Sequence, residues 1–287
     1  MNFVDLHTHT TASDGSLTPT ELVAEAAALA METIAITDHD TLAGLAEGVS
    51  AGGRYQVEVI PGVEINTDVP GGEVHILGYF VDPDDADLNA ELNRLREGRV
   101  GRAMRMVEKL QALGAPITWE RVQAIAGEAS VGRPHVAQAL VEAGFVASAR
   151  EAFERYIGRE GPAYVERLRM TPAEATMIIA RARGVPVLAH PEPIGAAAEF
   201  GPSLDWEALL PELVRAGLRG LEAYYTGYPA TVTERLLALA RRFGLIVTGG
   251  SDYHGPGRLA GATLGGVYVP PKTVRRLKAL AQEVRNR

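Results

Sequence analysis

Seven short apolar runs, most of them separated by a helical pattern, constrain this 287-residue chain more than any other feature. They are Phe3–Leu6, Thr33–Ile36, Val57–Ile60, Val74–Phe80, Val185–Ala189, Gly220–Tyr224 and Leu245–Val247. Short apolar runs of this kind suit buried strands. Helix starts fall between them. Thr18-Pro19-Thr20-Glu21 is a capping box with proline at the first helical position, and Thr171-Pro172-Ala173-Glu174 repeats it. Further helices are predicted over Trp206–Ala216, Ala230–Phe243 and Lys272–Val284. Strand alternating with helix predicts a parallel α/β protein.

The alternation breaks once. From about residue 87 to 169 the pattern is helical, over Leu88–Leu113, Thr118–Ala126, Pro134–Ala143 and Ala149–Ile157, with no strand signal. A helical stretch of this length inside a β/α alternation predicts an inserted subdomain. The expected division is residues 1–95 with 170–287 for the α/β part and 96–169 for the insert. Hydrophobic residues make up 46% of the chain, enough for a core of this size, and there are no cysteines, which excludes disulfides, thiolate metal sites and cysteine nucleophiles. The net charge of −8 argues against a large DNA-binding surface. No apolar run approaches a membrane span and the N-terminus carries no secretory signal, so a cytoplasmic location is expected. The insert has more basic than acidic residues, whereas the rest of the chain is acidic. Such a balance suits an anion over the insert and cations held by the flanks.

There are only seven histidines, so each can be placed. His7 and His9 follow the first strand at spacing two, which puts both on one face. That pair alone reads equally well as two ordinary polar residues. His39 directly follows the second strand, and Asp14 lies in the loop after the first. Glu64 ends the run Val59-Ile60-Pro61-Gly62-Val63, His190 closes Pro186-Val187-Leu188-Ala189, and Asp252 and His254 follow the last strand. His75 is the outlier, inside its strand pattern in Glu73-Val74-His75-Ile76-Leu77. In a β/α barrel the loops after the strands converge on one face. Residues scattered in sequence would meet there, which makes a metal cluster the collective reading of these side chains.

With these residues in place the chain resembles the PHP family, named for polymerase and histidinol phosphatase domains, among the amidohydrolase-like metal enzymes. The matching segments are Asp5-Leu6-His7-Thr8-His9, Ser13-Asp14-Gly15, Thr37-Asp38-His39, Gly62-Val63-Glu64, His75, Ala189-His190-Pro191 and Gly250-Ser251-Asp252-Tyr253-His254. The resemblance implies a distorted seven-stranded (β/α) barrel with two or three divalent metals, manganese first, zinc or iron as alternatives. It implies that His7, His9, Glu64 and Asp252 hold one metal. Glu64 then bridges to a second, held also by His75 and His190, while Asp14, His39 and His254 hold a third. Phosphate ester hydrolysis is the implied chemistry, with Asp252, Glu64 and His190 expected to carry it.

The insert is expected to choose the substrate. Arg96, Arg99, Arg102 and Arg105 recur at spacing three on one predicted helix, so neighbouring pairs share a direction and all four do not. Arginine offers phosphate a planar fork of donors, although charge runs of this kind are usually a solvated face. In Val131-Gly132-Arg133-Pro134-His135, Pro134 marks a helix start, which places Arg133 and His135 beside an anion-attracting N-terminus. An Arg-rich helix and a Gly-Arg-Pro-His segment inserted into such a barrel resemble the 3′,5′-nucleotide bisphosphate phosphatases, whose relatives also trim short RNA from the 5′ end. The implied substrate is a phosphorylated nucleotide. One phosphate is expected on Arg99, Arg102, Arg133 and His135 and the other, the 3′-phosphate, at the metals, with the insert as a lid over the strand ends. Short RNA is the alternative substrate. Histidinol phosphate fits less well, since a monophosphate gives no use for a second cationic cluster.

Overall fold

The computed structural model describes residues 3–69, 72–127, 131–166, 170–192, 204–258 and 261–286. The chain forms two compact units, Met1–Leu92 with Arg169–Arg287, and Asn93–Leu168. Arg169, the expected last residue of the insert, lies outside the described residues.

The first unit holds seven strands in sequence order: β1 (Phe3–Thr8), β2 (Met31–Ile36), β3 (Glu58–Val69), β4 (Gly72–Tyr79), β5 (Val185–Leu188), β6 (Gly220–Tyr225) and β7 (Ile246–Gly250). A bridge between Thr8 and Tyr253, with the His9 N–H donating to the Tyr253 carbonyl at 2.9 Å, brings the two edges together into a nearly closed barrel. Val4, Leu6, Ile60, Leu77, Tyr79 and Val187 form its core together with Val274 and Leu277. These last two come from α10 (Lys272–Arg285).

The sheet is not wholly parallel, which corrects the expectation. β4 runs antiparallel to both β3 and β5, while the other pairs are parallel. The reason lies in the connection. Only two residues, Pro70 and Gly71, separate β3 from β4. A parallel crossover needs a dozen or more residues, whereas a hairpin closes over two. The run predicted as Val57–Ile60 therefore continues to Val69 and pairs with β4 from Gly62↔Tyr79 to Val69↔Gly72.

Both capping boxes form. Thr18 caps α1 (Pro19–Ala28) and Thr171 caps α7 (Pro172–Arg181), each with its glutamate reaching back. Helices α8 (Trp206–Ala216) and α9 (Ala230–Arg242) occur where predicted. Helix α2 (Leu45–Tyr55) was not expected, because Gly48, Gly52 and Gly53 depress its helix propensity. Packing explains two of them: a Cβ on Gly48 would stand 2.2 Å from Ile36 Cδ1 of β2, and one on Gly52 2.7 Å from the Val57 carbonyl oxygen.

The second unit is helical among its described residues. It takes in most of α3 (Ala86–Ala112), then α4 (Trp119–Ala126), α5 (Arg133–Glu142) and α6 (Ala149–Ala152), which passes into a π-helical turn over Phe153–Ile157. It has its own core of Met106, Leu110, Val122, Val136, Leu140 and Ile157. Among the described residues no helix is long and apolar enough to cross a membrane.

Candidate metal centre

The barrel strands deliver nine imidazoles and carboxylates to one place. His7 and His9 come from the end of β1, His39 from just beyond β2, and Glu64 from β3. His190 follows β5, and Asp252 and His254 follow β7. His75 joins them because β4 is antiparallel: the start of that strand lies where the parallel strands end. His75 pairs with Asn66, two residues beyond Glu64, and so reaches the same rim.

Glu64 is wholly buried and stands at the middle. Its Oε2 lies 3.1 Å from His7 Nε2, 3.3 Å from His9 Nε2 and 3.2 Å from His39 Nδ1. Its Oε1 lies 2.8 Å from His75 Nδ1 and 3.0 Å from His190 Nε2. Asp252 Oδ1 is 3.0 Å from His9 Nε2, and Asp14 Oδ1 is 3.3 Å from His254 Nε2. Three overlapping groups bring their donor atoms within 4.8 Å of one another: His7, His9, Glu64 and Asp252; His9, Asp14, His39 and His254; and His39, Glu64 and His75. His190 touches Glu64 without joining the third group.

Several of these atoms are polar, shielded from solvent and without a hydrogen bond: both ring nitrogens of His9, His39 Nδ1 and Asp252 Oδ1. A buried unsatisfied group costs about 1–3 kcal/mol, so such atoms are rare singly and rarer together. Divalent cations would satisfy them, and a mixed imidazole and carboxylate donor set suits such ions. The charges agree. Burial alone would depress the His9 imidazolium, yet Asp252 and Glu64 push it up to about 10. Burial likewise opposes the His7 cation, and Glu64, Glu222 and Asp252 hold it well above the usual histidine range. Burial opposes ionisation of Glu64 and Asp252, but the surrounding imidazoles hold both well below the carboxylate range. His39 is the exception, because burial outweighs Glu64 and Asp14 and pushes it down to about 3. The cluster favours positive charge, carried by protons when metals are absent.

Two buried aspartates whose roles the sequence did not reveal hold the scaffold. Asp5 accepts from the Ser251 hydroxyl at 2.5 Å, the Ser251 N–H at 2.9 Å and the Gly265 N–H at 2.9 Å, which ties β1 to the segment carrying Asp252. Asp38 accepts from the Thr10 N–H and hydroxyl, both at 2.7 Å, and from Ser13 Oγ at 2.6 Å, which fixes the loop that carries Asp14.

The expected substrate residues belong to the helical unit. Arg102 is largely buried, donates from Nε to the Val165 carbonyl at 2.7 Å and lies over the Tyr164 ring at 5.4 Å. Arg99 is half-buried on the same helix. Arg133 opens α5, with its guanidinium 5.5 Å from the centre of the Phe153 ring. His135 Nδ1 accepts from the Gly132 N–H at 3.0 Å and closes the start of that helix.

A barrel with an imidazole–carboxylate cluster at its strand ends defines a class of metal-dependent hydrolases, and comparison with known proteins narrows the class. The PHP domain model matches residues 5–92. The chain is 34% identical to the 3′,5′-nucleoside bisphosphate phosphatase of Chromobacterium violaceum over 255 residues, covering 88% of each chain. It is 35% identical to the 5′-3′ exoribonuclease Rnm of Escherichia coli, covering 88% of this chain and 85% of that one. Its fold superimposes on a crystal structure from Bifidobacterium adolescentis, assigned as a metal-dependent phosphoesterase, with a TM-score of 0.83 and 34% identity over 97% of this chain and 96% of the other. The chain belongs to the PHP family of metal-dependent phosphoesterases.

Proposed function

We propose that this chain is a phosphatase that removes the 3′-phosphate from nucleoside 3′,5′-bisphosphates and leaves the 5′-monophosphate, acting in the cytoplasm. One observation carries the reading: the likeness to the Chromobacterium violaceum phosphatase runs through 88% of both chains, and the uncovered remainder is too short to leave out the helical unit. His7, His9, Glu64 and Asp252 would hold one divalent ion, Glu64, His75 and His190 a second, and Asp14, His39 and His254 a third, with manganese ahead of zinc and iron. Such ions neutralise phosphoryl oxygens and make water reactive near neutral pH. The side chains supply the rest. Glu64 would be shared by two of the ions, and Asp252, beside His7 and His9, or a water at the site would carry a proton to the leaving oxygen. Arg99, Arg102, Arg133 and His135 bind the phosphate that is not cleaved, so that its binding energy positions the one that is.

The test is phosphate release with added Mn(II) across mono- and bisphosphorylated nucleotides. Adenosine 3′,5′-bisphosphate is expected to be the preferred substrate and AMP the product. A 3′-monophosphate product would reverse the assigned direction. Arg133→Ala is expected to slow bisphosphate hydrolysis by a factor on the order of 10 or more, the loss of one charge-assisted hydrogen bond, and to leave a generic phosphomonoester unaffected. Equal losses on both would assign Arg133 to support of the metal site or the fold. The likeness to the Escherichia coli exoribonuclease supports a second reading, release of nucleotides from short 5′-phosphorylated RNA. Turnover that rises steeply from the bisphosphate to dinucleotides and longer oligomers would favour it.

A further inference from the structure

Strand β6 supplies none of the nine clustered side chains, yet it lies between β5, which leads to His190, and β7, which leads to Asp252. Its inner face carries two polar groups, each aimed at the far side of a cluster residue. Glu222 is wholly buried, with Oε1 3.2 Å and Oε2 3.3 Å from His7 Nδ1. Oε2 also accepts the His190 N–H at 2.8 Å. A carboxylate only accepts, so Nδ1 keeps its proton toward Glu222, and the nitrogen that gives up its proton to a metal is Nε2, the atom that faces Glu64. The Tyr225 hydroxyl donates to Asp252 Oδ2 at 2.7 Å. That leaves Oδ1, the oxygen with no hydrogen bond, turned toward His9.

The strand is shaped for this. Residues three apart on a regular strand face opposite ways. Between β6 and β7, Glu222 pairs with Thr248 while Tyr224 pairs with Gly249, so β6 has one extra residue there. Such a bulge shifts the alternation and re-aims the side chains beyond it, here bringing Tyr225 onto the same side as Glu222. The Tyr225 ring is set between His190, at 5.2 Å, and Tyr228, at 5.1 Å. Tyr228 is itself anchored: its hydroxyl accepts the Glu192 N–H at 2.8 Å and donates to the Glu192 carbonyl at 2.9 Å.

We propose that Glu222 and Tyr225 are positioning residues for the metal held by His7, His9, Glu64 and Asp252, the first orienting His7 and the second orienting Asp252. The inference rests on the metal site assigned above. Partners that fix a ligand's orientation typically change metal affinity by about 10–100-fold when removed.

Mn(II) titration of the metal-stripped full-length protein tests it, alongside the melting temperature of the stripped protein and the kcat and KM of the reloaded enzyme. Tyr225→Phe keeps the ring and removes the donor. It is expected to weaken the tightest Mn(II) site by at least 10-fold and to lower kcat at saturating Mn(II), with KM and the metal-free melting temperature unchanged. Glu222→Gln is expected to weaken the same site. If the wild type binds Mn(II) and Tyr225→Phe binds it within twofold, or loses affinity only together with metal-free stability, the positioning role is overturned. If the wild type itself binds no divalent ion, the metal site falls and this inference with it.

Discussion

Five imidazoles lie within 3.3 Å of the Glu64 carboxylate, whereas His254 meets the cluster at its edge through Asp14. Elemental analysis of purified variants is therefore expected to show Glu64→Ala losing more than one metal equivalent and His254→Ala no more than one. Equal losses would mean that Glu64 serves a single ion. The protons on the stripped cluster set a pH dependence. His9 sits near 10 when folded, above the ordinary value of 6.5, so its charge stabilises the metal-free protein fully below 6.5 and is lost as pH rises toward 10. Metal needs the neutral ring. Mn(II) affinity is thus expected to rise between pH 7 and 10 while the metal-free melting temperature falls, and Mn(II) binding at pH 7 is expected to release protons. His39, already neutral there, releases none. The histidines were legible in the sequence because a rare residue type falling repeatedly at strand ends is a signal by itself. Asp5 and Asp38 were not, because acidic residues are common and the partners of Asp5 lie up to 260 positions away.

Among the elements, those with a local chemical signature were read correctly. Thr18 with Glu21 and Thr171 with Glu174 announce α1 and α7, because a capping box is complete within four residues. The direction of β4 was missed because an apolar run says nothing of orientation, and a run read as ending at Ile60 leaves room for a crossover before Val74, whereas the folded strand runs on to Val69. Once β4 is reversed, His75 ceases to be an exception. Helix α2 was hidden by three glycines, of which Gly48 and Gly52 have a tertiary purpose and Gly53 has none, and this gives paired predictions of opposite sign. Gly53→Ala, with nothing within 4 Å of the new methyl, is expected to stabilise by about 0.5–1 kcal/mol through helix propensity. Gly48→Ala, with the same propensity gain, is expected to destabilise by about 1–3 kcal/mol, because the methyl meets Ile36. Urea denaturation of the two variants measures both, and stabilisation by Gly48→Ala would remove the packing explanation for α2.

For the whole molecule, the division into barrel and helical units follows from two separate cores. Closure of the barrel came only with the family resemblance and not from the strand pattern, since Thr8 and Tyr253 become neighbours only when every intervening strand is in place. That seam has a kinetic meaning. β3 and β4 meet across two residues and pay little loop entropy, so they pair early, whereas the β1–β7 edge closes a loop of most of the chain. Glu64 and His75 belong to the hairpin, His7 reaches Glu64 through β2, and Asp252 arrives with the seam, so the site of His7, His9, Glu64 and Asp252 is expected to be completed at the last step of assembly. In refolding followed by stopped flow, Mn(II) capture is expected to lag behind recovery of the circular dichroism signal. Simultaneous recovery would mean that the edges meet early. A nascent chain released before its last strand would lack Asp252 and His254 and leave the site of His7, His9 and Glu64 incomplete, which makes metal uptake there a timer for the completion of folding.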